Sequence, residues 1–241
     1  LNSQSNDGKF AAKLNLYNTS WEDRIATRSV QNEDGDDDLV YLTGINQVHS
    51  GIEAELAANV NDMIRLDLGV SLGNWTYVDD ATGTYRDSDG IDKAYSYSLK
   101  DLKVGDSPQR SISLGLTASP IDDATVQVSY RFYDEFFSDW SPTSREYGEG
   151  ETPDRKDSWQ IPHYSVVDLN ASYDIPFEFR GAKTQLVLNV RNLFDTVYIQ
   201  DATDNSRYNA YPFRVNSHTA NSAEVYLGMP TTFNLGLKVR F

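Results

Sequence analysis

The chain has 241 residues, 21 Lys and Arg against 36 Asp and Glu, a net charge of -15 and no cysteine. That balance excludes a nucleic-acid surface, whose phosphates need clustered basic side chains, and it excludes disulfide and thiolate-metal chemistry. A mean hydropathy of -0.54, with no apolar run of about 18 to 20 residues, excludes a membrane helix but not a membrane β-strand, which needs only about 9 to 11 residues with every second one apolar.

The opening LNSQSNDGKF reads as the end of a polar loop entering a strand, so an N-terminal part is expected ahead of it. Period two then recurs eight times along the chain. Phe10, Ala12, Leu14 and Leu16 alternate with Lys13, Asn15 and Tyr17, and Ile52, Ala54, Leu56 and Ala58 alternate with Glu53 and Glu55. Ile64, Leu66, Leu68, Val70 and Leu72 oppose Arg65, Asp67, Gly69 and Ser71. A fourth run places Ile112, Leu114, Leu116 and Ala118 on one face, and a fifth places Val126, Val128, Tyr130 and Phe132 against Gln127, Ser129, Arg131 and Tyr133. The sixth sets Val167, Leu169, Ala171 and Tyr173 against Val166, Asp168, Asn170 and Ser172, and the seventh sets Leu186, Leu188 and Val190 against Asn189 and Arg191. The last runs from Phe233 through Leu235, Leu237 and Val239 to Phe241, the final residue.

Connections also alternate. NVND, SPIDD and IPFEFRGAK are short, whereas residues 22–46, 78–107, 138–161 and 200–230 are long connections. Antiparallel neighbours with short turns at one end and long loops at the other predict an all-β, antiparallel transmembrane β-barrel, apolar outside and polar within. A soluble β-sheet protein is the alternative, with its apolar face buried on a second sheet. Pro120, Pro142, Pro153, Pro162 and Pro230 fall at strand edges or in loops, where a strand tolerates them.

No constellation for catalysis emerges, and the expectation is that the chain is not an enzyme. His49, His163 and His218 lie far apart with no partner at metal-ligand spacing. There is neither a Walker loop nor a dinucleotide fingerprint, and no cofactor is expected. Asp87, Asp89 and Asp92 are spaced loosely like a calcium loop but lack its bidentate Glu, and with residues 32–38 they read first as solvated loop charge that can select ligands by sign. The better candidates for ligand contact are aromatic: Trp75, Tyr77, Tyr133, Phe136, Phe137 and Trp140 at outer strand ends, and Tyr147 and Trp159 beyond. An interface girdle or loop packing is the competing and simpler reading of the same residues.

NVRNLFDTVYIQDA resembles the penultimate-strand motif N-L-F-D-x-x-Y of TonB-dependent outer-membrane receptors, matched at Asn192, Leu193, Phe194, Asp195 and Tyr198. TTFNLGLKVRF is similar to the closing strand of that family, and HSGIEAEL, LKVGDSPQRSISLGL and WQIPHYSVVDLNASYDI resemble other barrel strands of it. The resemblance implies that residues 1–241 are the C-terminal portion of a barrel of about 22 strands, with a plug domain, a TonB box and about fourteen earlier strands outside these residues. It implies residence in the bacterial outer membrane and contact with its lipid. The barrel-assembly machinery would be a partner during biogenesis, reading Phe233, Leu235, Leu237, Val239 and Phe241 as closing signal and barrel seam. It further implies coupling to the TonB complex through that N-terminal part, and a small-molecule or oligosaccharide ligand, a ferric siderophore first. Two other readings stay open: a small eight-stranded structural or adhesive barrel, and a receptor-like subunit of an envelope complex without transport.

Overall fold

The computed structural model describes residues 1–5, 7–31, 37–86, 90–177, 181–204 and 218–241. Eight long strands form its frame: strand one (Phe10–Gln31), two (Asp37–Asn59), three (Ile64–Tyr77), four (Pro108–Ile121), five (Ala124–Phe137), six (Tyr164–Asp174), seven (Lys183–Arg191) and eight (Thr232–Arg240). Each contains one of the eight alternating runs, and each pairs antiparallel with its neighbour in sequence. The sheet is therefore a meander, with strand eight at one end of its order and strand one, carrying a short Asn2–Gln4 strand, at the other.

Register decides which face each residue occupies, because side chains alternate strictly across a strand. Glu53 stands opposite both Asn15 and Ser71, and Ser113 stands opposite both Gly69 and Arg131. These polar positions line one open trough on the concave side, where Glu55, Arg65, Asp67, Arg131 and Asp168 also project. The alternate positions carry Leu66, Ile112, Leu114, Leu116, Leu186 and Leu235, all exposed with no protein layer over them. Phe233 is 79% and Leu237 68% exposed. In water such a continuous apolar face would be an aggregation surface; in lipid it is the required outer face of a barrel.

Strand length separates the wall from what projects above it. At about 3.3 Å per residue and a tilt of about 40°, the nine residues of strand seven rise about 23 Å, close to the apolar band of roughly 25 Å. Strand two has 23 residues and by the same arithmetic rises more than twice as far. Residues 22–46, expected as a long loop, are thus largely strand: the ladder continues from Trp21 opposite Gln47 to Gln31 opposite Asp37. Two irregularities interrupt it, around Asp23 and Gly44, both at positive φ (52° and 69°). An extra residue in one strand reverses the parity of everything beyond it. Val40 and Leu42 therefore turn inward, although the parity of Ile52 to Ala58 would put them on the lipid side.

There they nucleate the larger of two buried apolar cores, both lying in the outer connections rather than in the wall. Val40, Leu42 and Ile45 pack with Tyr77, Ala81, Tyr97, Leu99, Leu102 and Trp140. Ala81 and Tyr97 belong to a hairpin, Ala81–Arg86 with Asp92–Tyr97, inside the connection expected to be loop, and it adds to the edge of strand two. A Cβ on Gly83 would come within 3 Å of Val40, Leu42 and Tyr97, so the hairpin lies flat on that core. The second core joins Phe136, Ile161 and Ala202.

Leu42 is wholly buried, so Leu42→Ala is expected to cost about 2 to 5 kcal/mol locally. The Tyr77 amide, which donates to the Leu102 carbonyl across this core, should then exchange with solvent about thirtyfold faster or more, while wall amides are unchanged. Unaltered exchange at Tyr77 would show that the outer core is not a cooperative unit.

Candidate functional site

At the outer end of strands one to three, the trough-facing positions become aromatic. Tyr17, Gly51 and Gly73 lie across from one another in register, and so do Thr19, His49 and Trp75. The glycines give the rings room to lie flat. A Cβ on Gly51 would sit 2.4 Å from the Tyr17 hydroxyl, and one on Gly73 would sit 2.8 Å from the Trp75 indole nitrogen. Trp75 Nε1 donates to Tyr17 Oη at 2.9 Å, joining the two rings. The His49 ring stacks on Trp75 with centroids 5.1 Å apart and planes 11° apart, and Trp21 tilts onto His49 at 6.4 Å. Gln109, itself buried, brackets Trp75: its Oε1 accepts the Trp75 backbone N–H at 2.8 Å and its Nε2 donates to the Trp75 carbonyl at 3.0 Å.

This ledge of flat rings on the inner wall is preorganised, and Trp21 remains 49% exposed. Arg24 reaches over it, with its guanidinium carbon 5.5 Å from the Trp21 centroid and Nη1 donating to Gln47 Oε1 at 2.8 Å. One inward-facing position below Tyr17, Glu53 accepts the Asn15 amide at 3.1 Å. Further along the same face, Tyr133 lies opposite Tyr164 with ring centroids 5.2 Å apart, and Tyr198 stacks on Tyr164 at 4.5 Å.

Of the aromatic residues singled out from sequence, Trp75 and Tyr133 face the trough. Tyr77 and Trp140 are buried in the larger outer core, where Trp140 Nε1 donates to Tyr77 Oη at 3.1 Å, and Phe136 and Phe137 are buried as well. Packing accounts for those four. Trp159 packs against the second core, and Tyr147 donates its hydroxyl to Asp80 at 2.9 Å. Asp87 and Asp89 lie outside the described residues, as do residues 32–36; Asp92 is exposed at the turn end of the hairpin, opposite Arg86. Sequence reasoning missed Tyr17, Trp21 and Tyr164 and passed over His49; the usable signal was an aromatic residue on the polar set of a run, which at Tyr17 also faces a glycine, Gly51, across the sheet. Gly69 to Gly73 spells G-x-S-x-G, yet it lies mid-strand rather than at the strand-to-helix turn a nucleophile elbow requires.

Charged pairs tie the connections together above the ledge. Asp80 accepts the Leu99 and Lys100 N–H groups and Arg155 Nη2 at 2.8 Å, and the Arg155 contact holds its carboxyl below the usual carboxylate range. Arg145, wholly buried, donates to the Lys156 carbonyl at 2.8 Å and faces Asp204, which also contacts His218. Asp139 pairs with Arg28 at 2.9 Å; burial pushes its carboxyl up and Arg28 opposes the rise. For Asp106 the opposition of Arg28 is the smallest contribution. Burial, then Asp139 and Asp201, push it up to about 6.

The N-L-F-D-x-x-Y segment is a clamp. Asn192, at φ 49°, donates from Nδ2 to the carbonyls of Thr196 (2.9 Å) and Met229 (3.1 Å), and its Oδ1 accepts the Thr196 N–H at 2.9 Å. Its backbone N–H donates to Asp168 Oδ1 at 2.9 Å, while Asp168 Oδ2 takes Arg131. Asp195 Oδ1 accepts the Thr231 N–H at 2.9 Å, and the Tyr198 ring covers Gly228, where no Cβ would fit. The segment thereby fixes where strand eight begins. Phe194, 71% exposed, points away from the clamp.

A meander with an apolar outer face, a polar concave face, and long connections folded at one end is the wall of an outer-membrane-type β-barrel. The chain belongs to the TonB dependent receptor-like, beta-barrel family, whose model matches residues 3–193. Among solved structures it is similar to the ferric-catecholate import receptor Fiu of K12 E. coli (20% identity, TM-score 0.53, 99% of this chain and 26% of that one). It is also similar to the siderophore receptor PiuA of Acinetobacter baumannii (14%, 0.61, 99% and 27%) and to the copper transporter OprC (16%, 0.59, 99% and 29%). The chain thus spans between a quarter and a third of the length of these structures, and the likeness defines the fold. Barrels of this family are outer-membrane proteins of Gram-negative bacteria. No curated protein matches the chain.

Asn192→Ala strips three side-chain hydrogen bonds and leaves the Thr196 and Met229 carbonyls without that donor, at an expected cost of about 2 to 4 kcal/mol. The Thr196 and Thr231 amides should lose protection, with Asn192→Asp intermediate; full protection in the alanine variant would refute the clamp. For Asp106 the sign runs the other way from a stabilising carboxylate. Its folded value lies above the ordinary 3.8, so the folded chain keeps a proton that the unfolded chain has lost, and stability falls as pH rises from about 4 through 6. Asp106→Asn, tolerated at φ 64°, should raise the melting temperature at pH 8 and leave it unchanged at pH 4.

Proposed function

We propose that this chain is the C-terminal wall of a bacterial outer-membrane receptor. The receptor binds a scarce small-molecule nutrient, a chelated metal such as a ferric siderophore, and admits it to the periplasm at the expense of TonB-coupled energy. The observation that carries this reading is the aromatic ledge of Tyr17, Trp21, His49 and Trp75, set on the inner wall of a barrel of this family. A barrel that served only as a membrane anchor has no use for partly exposed rings held flat against its lumen, since aromatic surface of this kind contributes most when a ligand covers it. In this reading residues 1–241 supply wall, closing strand and outer connections, and catalyse no reaction. Coupling to TonB falls to a plug-bearing part of the receptor beyond these residues. Import receptors for a ferric catecholate and a siderophore, and a copper transporter, share this fold.

The connections above the ledge fit the same purpose. With two buried cores and the Asp80, Arg145 and Asp139 pairs, their described residues form a fixed frame around the mouth. A fixed frame lowers the ordering cost of each binding event.

The test is uptake of radioactive iron chelates by cells expressing the full receptor, with and without a working TonB complex. Uptake is expected only with TonB, and Trp75→Ala should reduce it about tenfold by weakening ligand binding. Uptake indifferent to TonB would sink the proposal.

A further inference from the structure

The charge of the chain is unevenly distributed. The four outer connections, residues 22–46, 78–107, 138–161 and 200–230, hold 23 Asp and Glu against 11 Lys and Arg, and so twelve of the fifteen net negative charges. The wall and the inner turns are close to neutral. Within the trough the charges largely cancel at contact: Lys13 pairs with Glu55 at 3.3 Å, Arg65 with Asp67 at 2.7 Å, and Arg131 with Asp168. Glu53 differs. Among the described residues its partner is the uncharged Asn15 amide, and it stands one inward-facing position below Tyr17 in the ledge.

Flat rings add to this. An aromatic face carries the negative end of the ring quadrupole, so rings lining the inner wall attract positive charge wherever a face is open. Arg24 over Trp21 is a built instance on this same wall. Asp106 is pushed up to about 6 by burial first, and then by Asp139 and Asp201, which places three carboxylates near one another in these connections.

Resting on the transport reading above, we propose that the ligand is a metal chelate of net positive charge, seated with a cationic face on Tyr17 and Trp75 and with Glu53 as its counter-ion. The outer connections raise the local concentration of such a ligand and repel its anionic counterparts, because field lines focus in a cleft of one sign. The ledge supplies contact, and Glu53 supplies the charge at short range. An anionic tris-catecholate of equal shape meets the same rings and the opposite field.

The experiment is calorimetric titration of the full receptor in detergent with two propeller-shaped tris-chelate probes: the tricationic tris-phenanthroline cobalt(III) complex and the trianionic tris-catecholate iron(III) complex, the Glu53→Gln variant separating charge from the larger ring surface of the cation. The cation is expected to bind at least about tenfold more tightly at low salt, and the advantage should shrink as ionic strength rises. Glu53→Gln, at an exposed side chain, should remove most of the preference without unfolding the wall, and Trp75→Ala should weaken the cation further. Equal or tighter binding of the trianion, binding of neither probe, or a cation preference untouched by Glu53→Gln each overturns the proposal. Because binding is read without TonB, cation preference combined with TonB-independent uptake would remove the transport reading and leave this one standing.

Discussion

The rest of the structure depends on the backbone ladder of the eight-strand meander. In hydrocarbon an unpaired N–H or C=O costs several kcal/mol, so each strand that crosses must find its partners on a neighbour. That requirement keeps the register from Leu72 to Ile64 and from Leu169 to Asp174 unbroken. Unbroken register in turn makes the inner and outer faces strict functions of residue parity. The lipid face, the polar trough and the ledge are three consequences of one ladder.

Where the strands leave the membrane the requirement relaxes, and the fold changes character there. The bulges at Asp23 and Gly44 sit just beyond the level of the ledge, and the Asp23 N–H is held by the Asn46 side chain at 2.8 Å. Beyond them Val40 and Leu42 turn inward and a water-soluble type of core begins. The two buried apolar cores of the described chain thus lie outside the bilayer band. Within the wall, stability comes from the ladder, from lipid and from the paired charges. The ledge occupies the boundary between these regimes, where rings are held by glycine neighbours on one side and left open to the lumen on the other.

Much of this was legible in the residues. Alternation located all eight wall strands and their faces, from Phe10 to Phe241, because a half-lipid, half-water strand must repeat every second residue. Loop asymmetry gave the barrel class. The motif around Asn192 was legible as a family mark, though not as a clamp: that needs Met229 and Thr231, some 37 to 39 residues on, to return beside it. Trp75 was visible as an outer-end aromatic, but the same rule also selected Tyr77 and Trp140, which lie inside a core. Sequence proximity to a strand end does not say which side a ring faces once bulges have shifted parity.

By itself the sequence determined the wall, the membrane class and the acid excess of the outer connections, since each follows from local periodicity or composition. Only the tertiary structure decided that Tyr17, Gly51 and Gly73 align, that His49 stacks on Trp75, and that Glu53 lies beneath them without an ionic partner among the described residues. The physical reason is register. Alternation fixes the face of each residue within its own strand, whereas the neighbours it meets are set by how far one strand slides along the next, and that is a property of the assembled ladder.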